Sequence, residues 1–146
     1  MDGAGEIVIA RSRPVVAEFL FDDGNAPLWA KNVVACRQLT PGPVRPGTRI
    51  EQVNRMFGTN TAFTYEVVSM QTDRFFELRM DDPFELWVLQ ELEDVAGGTL
   101  VRIRTKRVGG DPLFFRLFGP VLSYLTRRRI AHDLRKLKQV LESRPA

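Results

Sequence analysis

The sequence predicts an α+β fold: a seven-stranded antiparallel sheet covered by one long C-terminal helix, with two short helices between strands 1 and 2. Three observations carry this. Between residues 49 and 108, five runs alternate side chains of opposite character and are separated by short turn signals, the pattern of an antiparallel meander. One face of those runs is charged almost throughout and the other is aromatic or aliphatic, so one side of the sheet must be covered. From Asp111 onward the apolar period becomes helical for about 30 residues, and no other element is left to supply the cover.

The first strand is "GEIVIA", a short β-rich run. In "RSRPVVAEFLFDDGNAPLWAK", Pro14 suits a helix start and Val16, Phe19 and Leu20 fall at helical spacing. Asp22, Asp23, Gly24 and Asn25 break that helix, and Ala26 to Ala30 have room for only a turn or two more. "NVVACRQL" is the second strand, and "TPGPVRPGT" is too stiff for anything but a connection. "RIEQVNRM" sets Arg49, Glu51 and Arg55 against Ile50, Gln52, Asn54 and Met56. After the turn "FGTN", "AFTYEVVS" opposes Phe63, Tyr65 and Val67 to Thr64 and Glu66. "RFFELRM" aligns Phe76, Leu78 and Met80, and "FELWVLQELE" aligns Phe84, Leu86, Val88, Gln90 and Leu92. "TLVRIRTKR" opposes Val101, Ile103 and Thr105 to Arg102, Arg104 and Lys106. Trp87 and Leu89 break the pattern by falling on the charged face. Either a bulge rotates them inward, or they form a contact patch for a second subunit in a weak homodimer.

The terminal helix opens at Asp111 as N-cap with Pro112 in the first turn. Its apolar stripe runs through Phe114, Phe118, Leu122, Ile130, Leu134, Leu137 and Leu141. Gly119-Pro120 predicts a kink, because Pro120 donates no hydrogen bond and crowds the carbonyl of Arg116.

At 146 residues the chain fits a single domain, residues 1–146, large enough for one sizeable core. The opening "MDGAGEIVIARSRP" lacks the pattern of a secretory signal, and the most apolar segment, Leu113 to Leu125, is too short to span a bilayer. Cys36 is the one cysteine and His132 the one histidine, which excludes an internal disulfide and a zinc cluster; a reducing cytoplasm suits such a chain. Charge is uneven: residues 1–96 carry a net −6 and residues 97–146 a net +9. The basic third reads as a solvated helix face plus one charged strand face packed against an acidic partner surface, rather than as a nucleic-acid or membrane surface.

Four stretches, in order, resemble a known family. "FLFDDGNAPLW" resembles its Phe-Leu-x-Asp…Trp segment across the two short helices, and "LTPGPVRPGTRI" its Pro-Gly…Gly-Thr link between strands 2 and 3. "LEDVAGGTLVRIR" is similar to its final hairpin and "RRRIAHDLRKLKQVLE" to the end of its last helix. The family is the START-like helix-grip superfamily (SRPBCC proteins), in its polyketide cyclase/dehydrase-like branch. The resemblance covers nearly the whole chain and departs from the pattern at Pro14, which sits about one position from its usual place. It implies a helix-grip fold: a curved sheet wrapped around the long helix, with a pocket between them. It also implies a spread of roles, from lipid and hormone carriers to aromatic cyclases, among which fold alone does not choose.

With such a pocket, the inward polar candidates are Gln52, Asn54, Tyr65, Gln90 and Thr105, and Phe76, Leu86, Val88 and Ile103 supply apolar wall. Trp29 packs the short helix over the rim, while Phe114, Phe118, Leu122 and Leu125 wall the pocket from the helix side, with Phe115 and Leu117 at a portal lip. No Asp, Glu or His falls clearly on an inward strand position, so no catalytic residue is assigned. His132 reads as a capping or surface histidine and Cys36 as a small buried hydrophobe. The expected ligand is a hydrophobic small molecule such as a lipid, polyketide or aromatic metabolite, held without metal or other cofactor. The alternative is a polyketide cyclase/dehydrase-type enzyme acting by positioning and hydrogen-bond polarisation.

Overall fold

A computed structural model describes residues 2–56 and 58–145. Of the turn read at Phe57 to Asn60, Phe57 lies outside the described residues. The elements follow in the expected order: β1 (Gly3–Ile9), α1 (Arg13–Leu20), a 3-10 turn (Asp23–Asn25), α2 (Ala26–Trp29), β2 (Val33–Gln38), β3 (Arg49–Met56), β4 (Thr59–Gln71), β5 (Phe75–Met80), β6 (Glu85–Val95), β7 (Gly98–Val108) and α3 (Pro112–Glu142). The sheet order is β1-β7-β6-β5-β4-β3-β2, with antiparallel pairing throughout. Consecutive strands from β2 to β7 are neighbours, as short turns require, and β1 closes the far edge on β7. Curved around α3, this sheet is the helix-grip architecture.

Local chemistry fixes the ends. Asp111 Oδ1 accepts from the N–H groups of Leu113 and Phe114 at 3.0 and 3.4 Å, capping α3. Asp22 does the same for the 3-10 turn, accepting from Gly24 N–H at 3.0 Å. At the other end of α3, Glu142 Oε2 accepts from Ala10 N–H at 2.8 Å and from Lys138 Nζ at 2.6 Å. Arg11 donates to the carbonyls of Glu142 and Arg144, both at 2.8 Å, so the last turn of α3 is tied to the β1–α1 corner.

The core has two parts. Under the second half of α3, Ile130, Leu134, Leu137 and Leu141 pack on Ile9, Val101 and Ile103 and on Val16, Phe19 and Leu20 of α1. Across β3 to β6, Ile50, Tyr65, Val67, Phe76, Leu78, Met80 and Leu86 form the other part. Phe21 bridges them, stacking on Phe76 with ring centroids 5.4 Å apart. In β4 the pairing register shifts between Val67 and Ser69, a bulge that hands the inward position from Val67 to Met70, opposite Phe76.

β1 meets α3 through its glycines. A Cβ on Gly5 would lie 2.8 Å from Ile130 Cγ2 and 3.2 Å from Leu134 Cδ1, and one on Gly3 2.8 Å from Thr126 Cγ2. Helix and strand are therefore closer than any side chain allows. Gly5→Ala is expected to destabilise the protein by about 1–2 kcal/mol through overpacking, read as a lower urea midpoint with an unchanged m-value.

Two expectations for the outer face and α3 need correction or refinement. No register shift occurs along β5–β6–β7, so no bulge turns Trp87 and Leu89 inward. Trp87 stays half-buried on the charged face, its indole N–H donating to Glu85 at 3.0 Å under the Arg79 guanidinium. Of the basic residues of β7, Arg102 pairs with Glu6 and Arg104 with Glu91.

The α3 stripe is the larger correction. Ile130, Leu134, Leu137 and Leu141 are buried, but Phe114, Phe118 and Leu125 are about half exposed and Leu122 is only partly covered. The helix runs without a break from Pro112 to Glu142, with Pro120 inside it. The misreading has a geometric cause. At 3.6 residues per turn, each step of four advances the stripe by about 40°. Four steps from Phe114 to Ile130 accumulate about 160°, which carries Phe114 to nearly the opposite side from the buried row.

Candidate functional site

Between the inner face of the sheet, the short α2 and the middle of α3 lies a cavity of about 330 Å³. Strand alternation supplies most of its lining: Gln52, Asn54 and Met56 from β3, Phe63 and Tyr65 from β4, Leu86, Val88 and Gln90 from β6, and Ile103 and Thr105 from β7. Leu20, Asp23, Ala26, Trp29 and Asn32 close one end, and Thr126, Arg129, Ile130 and Asp133 come from α3. Lining residues that reach solvent, namely Met56, Pro83 and Arg129, mark the mouth.

Of the residues singled out from sequence, Trp29, Gln52, Asn54, Tyr65, Leu86, Val88, Gln90, Ile103 and Thr105 are brought together on this wall. Five are not. Phe76 is 1 % exposed, sealed under Phe21 in the core rather than facing the cavity. Phe114, Phe118, Leu122 and Leu125 do not line it, because the stripe winds away from the sheet before reaching them. Phe115 packs instead against the end of β7, with the Arg107 guanidinium 3.2 Å from its ring centroid, and Leu117 is exposed.

The wall also holds charged groups that the strand reading could not find. Asp23 sits in the 3-10 turn, where its sequence signal is that of a helix breaker, yet it faces the cavity. Burial, reinforced by the neighbouring Asp22 carboxylate, pushes its carboxyl up from the ordinary 3.8 to about 7. Asp133 lies on the buried side of α3, and its Oδ1 accepts from Lys31 N–H at 3.0 Å and lies 3.4 Å from His132 Nδ1. His132 itself is exposed, in keeping with a surface role. Spacing offered one usable signal here: Asp133 stands three residues after Ile130 and four before Leu137, on the face that those residues bury.

Tyr65 is held as the neutral phenol. Burial raises its pKa to about 12 against the opposing pull of Arg129, so the hydroxyl remains a donor. Burial and the nearby Asp23 carboxyl likewise raise the Cys36 thiol to about 12, which removes it as a nucleophile. Three buried polar atoms of the lining have no hydrogen-bond partner among the described residues: Trp29 Nε1, Asn54 Oδ1 and Gln90 Oε1. Buried polar groups are normally paired, and these three, one donor and two acceptors, belong to residues of one cavity wall. No group of three or more potential metal ligands occurs among the described residues.

Comparison with known proteins agrees with this fold. The fold matches TTHA0849 from Thermus thermophilus with a TM-score of 0.81 at 15% identity, covering 98% of each chain. It matches a START superfamily protein from Mycobacterium smegmatis with a TM-score of 0.77 at 15% identity, covering 97% of each. A third similar structure is the di-domain ARO/CYC BexL from the BE-7585A biosynthetic pathway, with a TM-score of 0.74 at 17% identity. That alignment covers 99% of this chain and 48% of BexL. No curated protein matches the sequence. At these identities the structural likeness carries the fold, and the sequence itself carries the family. Residues 4–142 match the family described as polyketide cyclase/dehydrase and lipid transport, and the chain belongs to it.

Proposed function

We propose that the chain binds a largely apolar small molecule bearing a few polar groups, such as a lipid, polyketide or aromatic metabolite, in the cavity between sheet and α3. The observation that carries this reading is the pairing of an aliphatic and aromatic wall with three unpartnered polar atoms. A hydroxyl or N–H on the ligand satisfies Asn54 and Gln90, and a carbonyl or ether oxygen satisfies Trp29 Nε1 or the Tyr65 hydroxyl. Leu86, Val88 and Ile103 cover its apolar body.

A second reading, a cyclase- or dehydrase-type enzyme, is favoured by Asp23. A carboxyl titrating at about 7 inside a cavity is suited to giving or taking a proton at neutral pH, and Tyr65 offers a hydrogen bond to polarise a carbonyl. One experiment separates the two. Native mass spectrometry of protein purified without delipidation should show one small molecule per chain, released by solvent extraction. Recovery of an added polyketide-like compound unchanged supports binding, and its conversion, lost in Asp23→Asn, supports catalysis. If nothing co-purifies and no apolar fluorescent probe binds saturably, both readings fail.

A further inference from the structure

The first half of α3 presents an apolar face that the described residues leave about half exposed. Leu113, Phe114, Leu117, Phe118, Val121 and Leu125 are between 45% and 65% exposed. At about 100° per residue they occupy one arc of about 140°, centred roughly 160° from the row that Ile130, Leu134, Leu137 and Leu141 bury against the sheet. This is a continuous apolar strip about 20 Å long on the outside of the helix. Charge accompanies it: residues 112–132 contain four arginines, Arg116, Arg127, Arg128 and Arg129, and no Asp or Glu. Among the described residues none of the four forms an ion pair, whereas Arg102 and Arg104 of β7 do. Three of the four, Arg127, Arg128 and Arg129, cluster after the strip, at the turn where Thr126, Arg129 and Ile130 line the cavity.

We infer that this half of α3 docks the protein on an anionic lipid bilayer, lying in the headgroup plane with the cavity mouth beside the membrane surface. The composition is that of an interfacial amphipathic helix: Leu, Phe and Val enter the acyl boundary, and arginines at the end of the strip reach phosphate. Tyr124, 57% exposed within the same arc, suits the headgroup level. No described helix is long and apolar enough to cross a membrane, so the contact is superficial. A second copy packed parallel fits the face poorly, because two acid-free arginine clusters then meet, and an antiparallel copy is distinguished by the dimer outcome below. A nucleic acid would take the arginines but leave Leu113, Leu117 and Val121 in water.

Vesicle co-flotation tests this directly, using phosphatidylcholine vesicles with and without phosphatidylglycerol at low and high salt. The protein should bind the anionic vesicles and be released by salt. Leu117→Ser/Val121→Ser should weaken binding at least about tenfold, and Arg127→Gln/Arg128→Gln roughly thirtyfold. Arg129 is left intact because it lines the cavity. All four substituted positions are exposed, so melting temperatures matching the parent verify that the fold is unchanged. No binding to anionic vesicles, equal binding to neutral ones, or equal binding by parent and variants overturns the inference. A concentration-dependent dimer that the serine variant dissolves also overturns it and assigns the face to a second copy. Because vesicle binding is read whether or not the cavity is filled, its failure leaves the proposed ligand reading intact.

Discussion

At pH 8, Asp23→Asn is expected to melt roughly 5–10 °C above the parent, and the difference should vanish near pH 4. The folded protein raises this carboxyl from 3.8 to about 7, chiefly by burying it and secondarily by placing Asp22 beside it. Between those two values the native state keeps the proton and the unfolded chain has lost it. The stabilisation this gives is fully present below about 3.8 and disappears as pH rises through about 7. Above that, the parent carries a desolvated carboxylate and the asparagine does not. The shift corresponds to about 4 kcal/mol at most, and partial solvent contact at the cavity wall reduces it to about 2–3 kcal/mol. Glu142 slopes the other way, because its bonds from Ala10 N–H and Lys138 lower its pKa and its contribution is lost as pH falls. The variant-minus-parent difference, read by thermal melts from pH 4 to 8, isolates Asp23 from that background. Parallel curves for the two proteins would show that the carboxyl titrates normally and would leave the catalytic reading without its acid.

That carboxyl also shows what kind of information a sequence withholds. Gln52, Asn54, Tyr65, Leu86, Val88, Gln90, Ile103 and Thr105 were legible because a strand has period two. Once the charged row is recognised, the alternate row is known to face inward. Asp23 has no such frame: Asp-Asp-Gly-Asn reads as punctuation, and only the packing of α1 and α2 turns one of its side chains toward the cavity. Phe76 fails for a related reason. It keeps its inward parity, but Phe21 from the chain after α1 covers that part of the sheet. The α3 stripe fails differently, since spacings of four look periodic while they rotate around the helix. Counting four residues back and three forward from Ile130, a well-buried position, instead reaches Thr126 and Asp133. Both line the cavity.

The second large effect concerns Gln90, where stability and binding should move in opposite directions. Gln90 stands between Phe76 on β5 and Ile103 on β7, 9 % exposed, with Oε1 unpartnered. A buried acceptor without a donor costs about 1–3 kcal/mol, and an apolar replacement of similar size removes that cost. Gln90→Leu should therefore raise stability by about 1–2 kcal/mol, seen as a higher urea midpoint. It should also weaken a ligand that donates to Gln90 by about tenfold to a hundredfold, since that donor would enter the cavity and find leucine. A purely hydrocarbon probe has no donor to lose and should bind as well as before or better. Weaker binding of both compounds together with lower stability would mean that the side chain supports the sheet, and the ligand-orienting role would be withdrawn. If the expected split is found, the same reasoning extends to Asn54 and Trp29, each of which carries an unpartnered buried polar atom and lines the same cavity. With that result, a fold less stable than one substitution would make it, at positions sharing one cavity, would be holding those groups for a molecule that completes them.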